Sequence, residues 1–385
     1  MNWLFSRTKG DLVIWVIVLI LSVFSLLAVY SSTGTMAYKY QSGNTEYYLL
    51  KHLLLMAFGL VMMFVCHQIN YKYYSRIAQV LLWITPPLLL ATYFIGLNVN
   101  SGVRWIQLPI VNLTFQPSDL AKLALIMYTA RMLSKKQDVI DDLWKSTIPI
   151  LAPVVLVCLL IFPANFSTAA VLFSTCTLLM FIGRMNLKHL VAFIGGSILA
   201  VTLFILISYS LKLDIARVNT WVNRIENFTQ GGDADESYQS QQSQIAVATG
   251  GFFGKGPGNS VQKNFLPNPY ADFIFAIIVE EYGSLGGIVL ICLYLLLLYR
   301  SIRIVMRSPR AFGALLAAGL SFSLVLQALI NMGVAVHLFP VTGLTLPLVS
   351  MGGTSLWFTS IAFGIILSVS RDIEENEDLE EVATA

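Results

Sequence analysis

Apolar residues run in long blocks separated by short polar stretches. A helix needs about 20 apolar residues to cross roughly 30 Å of hydrocarbon. By that measure the chain predicts ten spans, at 12–31, 49–67, 77–96, 118–134, 146–163, 167–183, 189–210, 272–299, 311–334 and 352–370. The expected fold class is an all-α polytopic membrane protein. Three segments break the pattern: 97–117, 211–271 and 335–351, all rich in Gly, Pro or small polar residues and expected to be non-helical. Residues 1–371 read as a single ten-span domain whose large extracytoplasmic loop is 211–271. The acidic stretch 372–385 reads as a disordered cytoplasmic tail.

Basic residues orient the spans. With both termini cytoplasmic, 15 of the 24 Lys and Arg fall on the inside, including Lys135, Lys136, Lys145, Arg300, Arg303, Arg307 and Arg310. Five of the other nine lie in the long loop 211–271, where charge has little topological weight. All three irregular segments then face outward, so chemistry is expected there. The first apolar run is too long for a cleavable signal and reads as an anchor. Gly195–Gly196 and Gly286–Gly287 do not make the matched breaks of an inverted-repeat transporter.

Composition sharpens this. The chain has 385 residues, 56% apolar and 12% charged, with a mean hydropathy of +0.73. A soluble chain carries about 25% charge, so a set of soluble domains is excluded. A net charge of +3 gives no reason to expect nucleic acid as a partner. Cys66, Cys158, Cys176 and Cys292 each sit in apolar runs and read as small buried hydrophobes. The four histidines are scattered without metal-ligand spacing, and there is no GxSxG.

Ionisable groups in or beside apolar spans are costly and mark candidate sites. In NPYADFIFAIIVEE, Asp272 opens the eighth span and is the first choice for general base; a helix cap is the alternative. Glu280 lies about 12 Å deeper at 1.5 Å per residue, and Glu281 projects about half a turn away from Asp272. These two read as structural polar groups between helices. In QPSDLAK, Gln116, Ser118, Asp119 and Lys122 open the fourth span. Asp119 and Lys122 are spaced to pair, either as cap and snorkel or as a head-group site. Arg104 and Trp105 read as an interfacial anchor or as a site where Trp stacks on a sugar and Arg forks onto phosphate. The glycines of TGGFFGKGPGNSVQKNFLP expose backbone N–H groups, presenting Lys255, Asn259, Gln262 and Lys263 outward without Walker spacing.

Three of these stretches, GVRWIQLPIVNLTFQPSDLAKLALIMYTARML, GGFFGKGPGNSVQKNFLPNPYADFIFAIIVEEYGSLG and FPVTGLTLPLVSMGGTSL, closely resemble the SEDS family, the bacterial FtsW and RodA proteins. The GNSVQK element is closer to the FtsW type, hence to septal cell division, than to the RodA type. The resemblance implies a peptidoglycan glycosyltransferase that polymerises lipid II, an undecaprenyl-pyrophosphate disaccharide-pentapeptide, at the outer face of the bacterial inner membrane. It places the family's essential aspartate on Asp272, its loop pair on Arg104 and Trp105, and its PSE-type positions on Asp119 and Lys122. It implies as partners a class B penicillin-binding transpeptidase and other divisome or elongasome membrane proteins. It also brings in a divalent cation, Mg2+ or Mn2+, for which Asp272 is the one candidate ligand. The chain departs from the pattern at Asn165, where an acidic residue is usual, at Asp119 in place of Glu, and at Met351 in place of an aromatic. An α-linked donor and β-1,4 product imply inversion, with one base and a stabilised pyrophosphate leaving group. A lipid II flippase and a non-catalytic scaffold for the transpeptidase are the rival readings.

Overall fold

The computed structural model describes residues 9–40, 44–99, 102–108, 113–210, 218–230 and 234–384. Pro109 and the 211–217 and 231–233 parts of the long loop therefore lie outside the described residues. The chain forms α1 (Leu12–Ser32), α2 (Gly34–Tyr40), α3 (Thr45–Gln68), α4 (Tyr74–Ile95), α5 (Pro117–Lys135), α6 (Ile148–Ile161), α7 (Phe166–Ile182) and α8 (Leu187–Ser210). Then come α9 (Val218–Gln230), α10 (Ala234–Gly250), α11 (Ile274–Arg307), α12 (Ala311–Ala335) and α13 (Thr354–Thr384). Among the described residues, eight helices are long and apolar enough to cross a membrane. Two further predicted spans fall short for identifiable reasons. α7 has only 17 residues, and α5 carries Asp119, Lys122, Arg131 and Lys135.

Apolar side chains such as Leu19, Leu54, Trp83 and Phe94 are exposed around the outside of the bundle, where a membrane protein meets lipid. The interior uses small residues for close helix approach. At Gly59 and Gly364, for example, α3 and α13 come so close that an added Cβ would collide with Ser360 and with the Met63 carbonyl. α5 is the buried centre, with Ala121, Ala124, Leu125, Ile126, Ala130 and Leu133 almost fully enclosed. At one end of the bundle, Asp11 caps α1 and pairs with Arg300 of α11 at 2.6 Å.

One expectation is filled in and two need correction. The segment 97–117 contains a small antiparallel sheet, β1 (Leu97–Val99), β2 (Gly102–Leu108) and β3 (Leu113–Phe115), in that order. The long loop is mostly helical among its described residues. VNTWVNRIENF repeats apolar residues at helical spacing, and that amphipathic pattern gives α9. The acidic tail continues α13 through Thr384. Asp372 is buried against Lys72 at 3.4 Å, and Arg371 pairs with Glu375 one turn on, so these charges have partners.

α11 is broken nine residues into its length. Gly283 has φ 73° and ψ −177°, and the N–H groups of Ser284 and Leu285 donate to the carbonyls of Gly251 and Phe252. The glycine-rich loop returns the bonds: Lys255 N donates to Glu280 O and Gly256 N to Glu281 O. A Cβ at Gly283 or at Gly254 would overlap the opposing backbone, so only glycine permits the approach.

Candidate active site

Asp272 sits on the turn just before α11, and three successive carbonyls fix its backbone. Tyr270 O accepts from Met351 N at 2.9 Å, Ala271 O from Ser350 Oγ at 2.7 Å, and Asp272 O from Asn331 Nδ2 at 2.9 Å. Asn331 also donates to Leu344 O at 2.7 Å, tying the turn to the loop before α13. Within that loop Gly343 has φ +68°, and a Cβ built on it would stand 3.8 Å from both Asp272 Oδ2 and Arg104 Nη1. The carboxylate and the guanidinium meet at this glycine. Burial raises the Asp272 pKa above the ordinary carboxylate range, and the charges of Arg104 and then Arg224 oppose the rise.

Both arginines line a cavity of about 450 Å3 between α7, α9, α12 and the loop 339–344. Apart from them its wall is mainly apolar, including Phe166, Val171, Trp221, Phe322, Leu326 and Ile330. Arg104 is steadied by its Nε, which donates to Ala164 O at 2.8 Å, beside Asn165. Asn165 caps α7 by accepting from Thr168 N, a duty an amide performs as well as a carboxylate. An anionic group with a long apolar tail is the class of ligand such a cavity suits, and the Asp272 carboxylate stands next to one of its two arginines.

The structure does not gather all the expected residues here. Trp105 follows Arg104 on β2, and neighbouring strand residues point to opposite faces, so only Arg104 lines the cavity. Gln116 donates to Ser118 Oγ at 3.0 Å, and Ser118 lines a narrow cleft that reaches Arg104 and Asn165. Asp119 and Lys122 pair at 3.0 Å around a separate small cavity in the bundle. Asn259, Gln262 and Lys263 are drawn elsewhere, because two buried carboxylates recruit their loop. Glu280 accepts from Lys255 Nζ at 2.6 Å, from Ser260 Oγ, and from the N–H groups of Val261 and Gln262 at 3.1 and 3.2 Å. Glu281 accepts from Ser31 Oγ and Ser260 N. Lys263 Nζ donates to Gly258 O and Ser31 Oγ, and Asn259 Nδ2 to Lys255 O. Glu280 thus binds the glycine-rich loop rather than a neighbouring helix, and Glu281 joins that loop to α1.

Sequence reasoning missed Arg224, Asn331 and Ser350. The signal for Arg224 was present: Trp221 and Arg224 are three apart in an amphipathic pattern, which puts both on one helix face. Asn331 and Ser350 gave none, since what they bind is backbone carbonyls distant in sequence. For the divalent cation, the donor set does not fit. Among the described residues no three His, Cys, Asp or Glu cluster, and Asp272 faces two guanidinium groups that repel a cation.

Residues 11–375 match the cell cycle protein family of FtsW, RodA and SpoVE. This chain belongs to that family. Among its relatives it is 34% identical over 370 residues to the stage V sporulation protein E of Bacillus subtilis, covering 95% of this chain and 98% of that one. It is 33% identical over 373 residues to the probable peptidoglycan glycosyltransferase FtsW of Trichlorobacter lovleyi, covering 96% and 95%. Its fold is similar to a chain from the structure described as "Structural coordination of polymerization and crosslinking by a peptidoglycan synthase complex". The TM-score there is 0.72 at 25% identity, over 94% of this chain and 98% of that one. An FtsW/RodA/SpoVE protein with these spans is an integral membrane protein.

Proposed function

We infer that this chain is a peptidoglycan glycosyltransferase that joins lipid II units into β-1,4 glycan at the outer face of the inner membrane. The observation that carries the reading is Asp272, pinned through its backbone and set beside Arg104, which together with Arg224 lines an apolar cavity. Relatives named as glycosyltransferases at about a third identity over nearly the whole chain support it. The reading takes α5 and α7 as spans beside the eight apolar helices, ten in all, and the distribution of Lys and Arg supports cytoplasmic placement of both termini.

In this reading the polyprenyl part of the donor lies along the apolar wall formed by α7 and α12. Arg104 and Arg224 hold the two phosphates and balance the charge that builds on the leaving group. Asp272 accepts the proton of the acceptor 4-hydroxyl as its oxygen attacks the donor anomeric carbon from the face opposite the pyrophosphate, inverting that centre. The C–O bond to pyrophosphate breaks, and the proton stays on the carboxyl until solvent removes it. No step is assigned to a metal. A class B transpeptidase is the proposed partner, supported by likeness to a chain of a synthase complex. The septal assignment rests on the GNSVQK element.

The test is polymerisation of purified lipid II by the protein, alone and with its transpeptidase. Wild-type protein should make glycan in detergent, where a flippase makes none. Asp272→Asn should keep the fold and lose activity by about 10²–10⁴-fold or more. Full activity in that variant removes the base assignment, and growth supported by it favours the scaffold.

A further inference from the structure

The Asp119–Lys122 pair lies away from the Asp272 cavity, and its third partner indicates what it does there. Lys122 Nζ is 3.0 Å from Asp119 Oδ1 and donates to Gln327 Oε1 at 2.9 Å. Gln327 Nε2 then donates to the carbonyl of Thr345 at 2.8 Å. The ammonium fixes the orientation of the amide, since one end accepts and the other must donate. Thr345 lies in the loop that serves the site. Residue 343 stands between Asp272 and Arg104, Leu344 O is held by Asn331, and Leu346 N donates to the same Ser350 Oγ that holds Ala271.

We propose that Asp119, Lys122 and Gln327 are positioning residues, a buried relay from α5 through α12 that sets the 343–346 turn and with it the separation of Asp272 from Arg104. A loop carbonyl inside the bundle costs free energy unless a donor meets it, and the Gln327 amide meets it in one orientation only. The pair is poorly placed as a head-group site. Asp119 is 4% exposed, and Lys122 already serves two acceptors. Asp119 Oδ2 is buried without a hydrogen-bond partner, and the residue lines a cavity of about 40 Å3 with Ser323, Ser355 and Thr359. That is room for a few waters, which suits the unpartnered Oδ2 better than it suits a diphosphate.

The proposal rests on Asp272 as the base, so it is tested by two readouts, one of them independent of activity. In lipid II polymerisation by the purified protein with its transpeptidase, Gln327→Met and Lys122→Met should each lower kcat about tenfold with KM within twofold. The double variant should be no worse than either single one, as for links in series. Lys122→Arg, which can still reach both acceptors, should recover most of the loss. A rise in KM confined to Lys122→Met would make Lys122 a substrate contact and overturn the relay. Hydrogen–deuterium exchange over residues 341–351 should rise in both methionine variants. Unchanged exchange there rejects the relay whatever Asp272 does, and raised exchange with an active Asp272→Asn rejects the base assignment alone. If Gln327→Met does not yield folded protein, Gln327→Glu serves: it keeps the lysine partner, loses the donor to Thr345 and should show the same exchange signature.

Discussion

Asp272 and Glu280 stand eight residues apart in one stretch, and the protein surrounds them in opposite ways. Glu280 is wholly buried and its carboxylate accepts from an ammonium, a hydroxyl and two backbone N–H groups. Around Asp272 the backbone carbonyls take the hydrogen bonds, while the carboxylate feels two guanidinium charges that line a cavity. A carboxylate saturated with donors is committed to the fold. One that is anchored through its main chain keeps its oxygens available for a substrate proton.

The largest effect should come from the backbone crossing beneath Glu280. Gly283→Ala would drive a Cβ into the Phe252 carbonyl in a left-handed conformation, and we expect no folded protein in detergent extracts by size-exclusion chromatography. Glu280→Gln removes the buried charge that gathers an ammonium, a hydroxyl and two N–H groups, and should cost about 1–3 kcal/mol, seen as a lowered Tm. Asp272→Asn should do the reverse, with Tm nearly unchanged and polymerisation lost. Equal Tm losses in the two would break the distinction between them. Gly343→Ala combines strain of about 1–2 kcal/mol at φ +68° with a methyl group beside both Asp272 and Arg104. It should lower kcat at least tenfold.

The smallest effect is a shift in pH dependence. Burial raises the Asp272 pKa, and the base works only when ionised, so activity should fall with decreasing pH at a higher pH than an ordinary carboxylate would give. The arginines favour the ionised form. Arg104→Gln and Arg224→Gln should therefore move the acid limb of the kcat/KM profile further upward, the first more than the second. An acid limb that does not move in either variant would separate the arginines from the base.

Most of the spans were legible because burial in lipid leaves an unmistakable apolar run, as at Leu12–Ser32 and Ala311–Ala335. The end of α13 was not, since a run of glutamates looks solvated until Arg371 and Lys72 are seen beside it. Asp272 stood out as an ionisable residue at the edge of a span. Lys263 and Trp105 stand away from the cavity for a different reason. Position in a polar loop says nothing about which side of a strand faces the cavity, or which buried carboxylate claims the loop. Likewise Gln327 sits within an apolar helix, where its partner at Thr345 O is invisible until the chain folds.

The exchange of hydrogen bonds across Gly283 has a mechanical consequence. The outer piece of α11 and the glycine strip each complete the other's main-chain bonding, so neither can swing away without breaking four backbone hydrogen bonds at once. Any opening that admits a bulky lipid must therefore move the pair as one stiff block, carrying Asp272 with it, or take place elsewhere, as beside α8, which is scarcely packed against its neighbours.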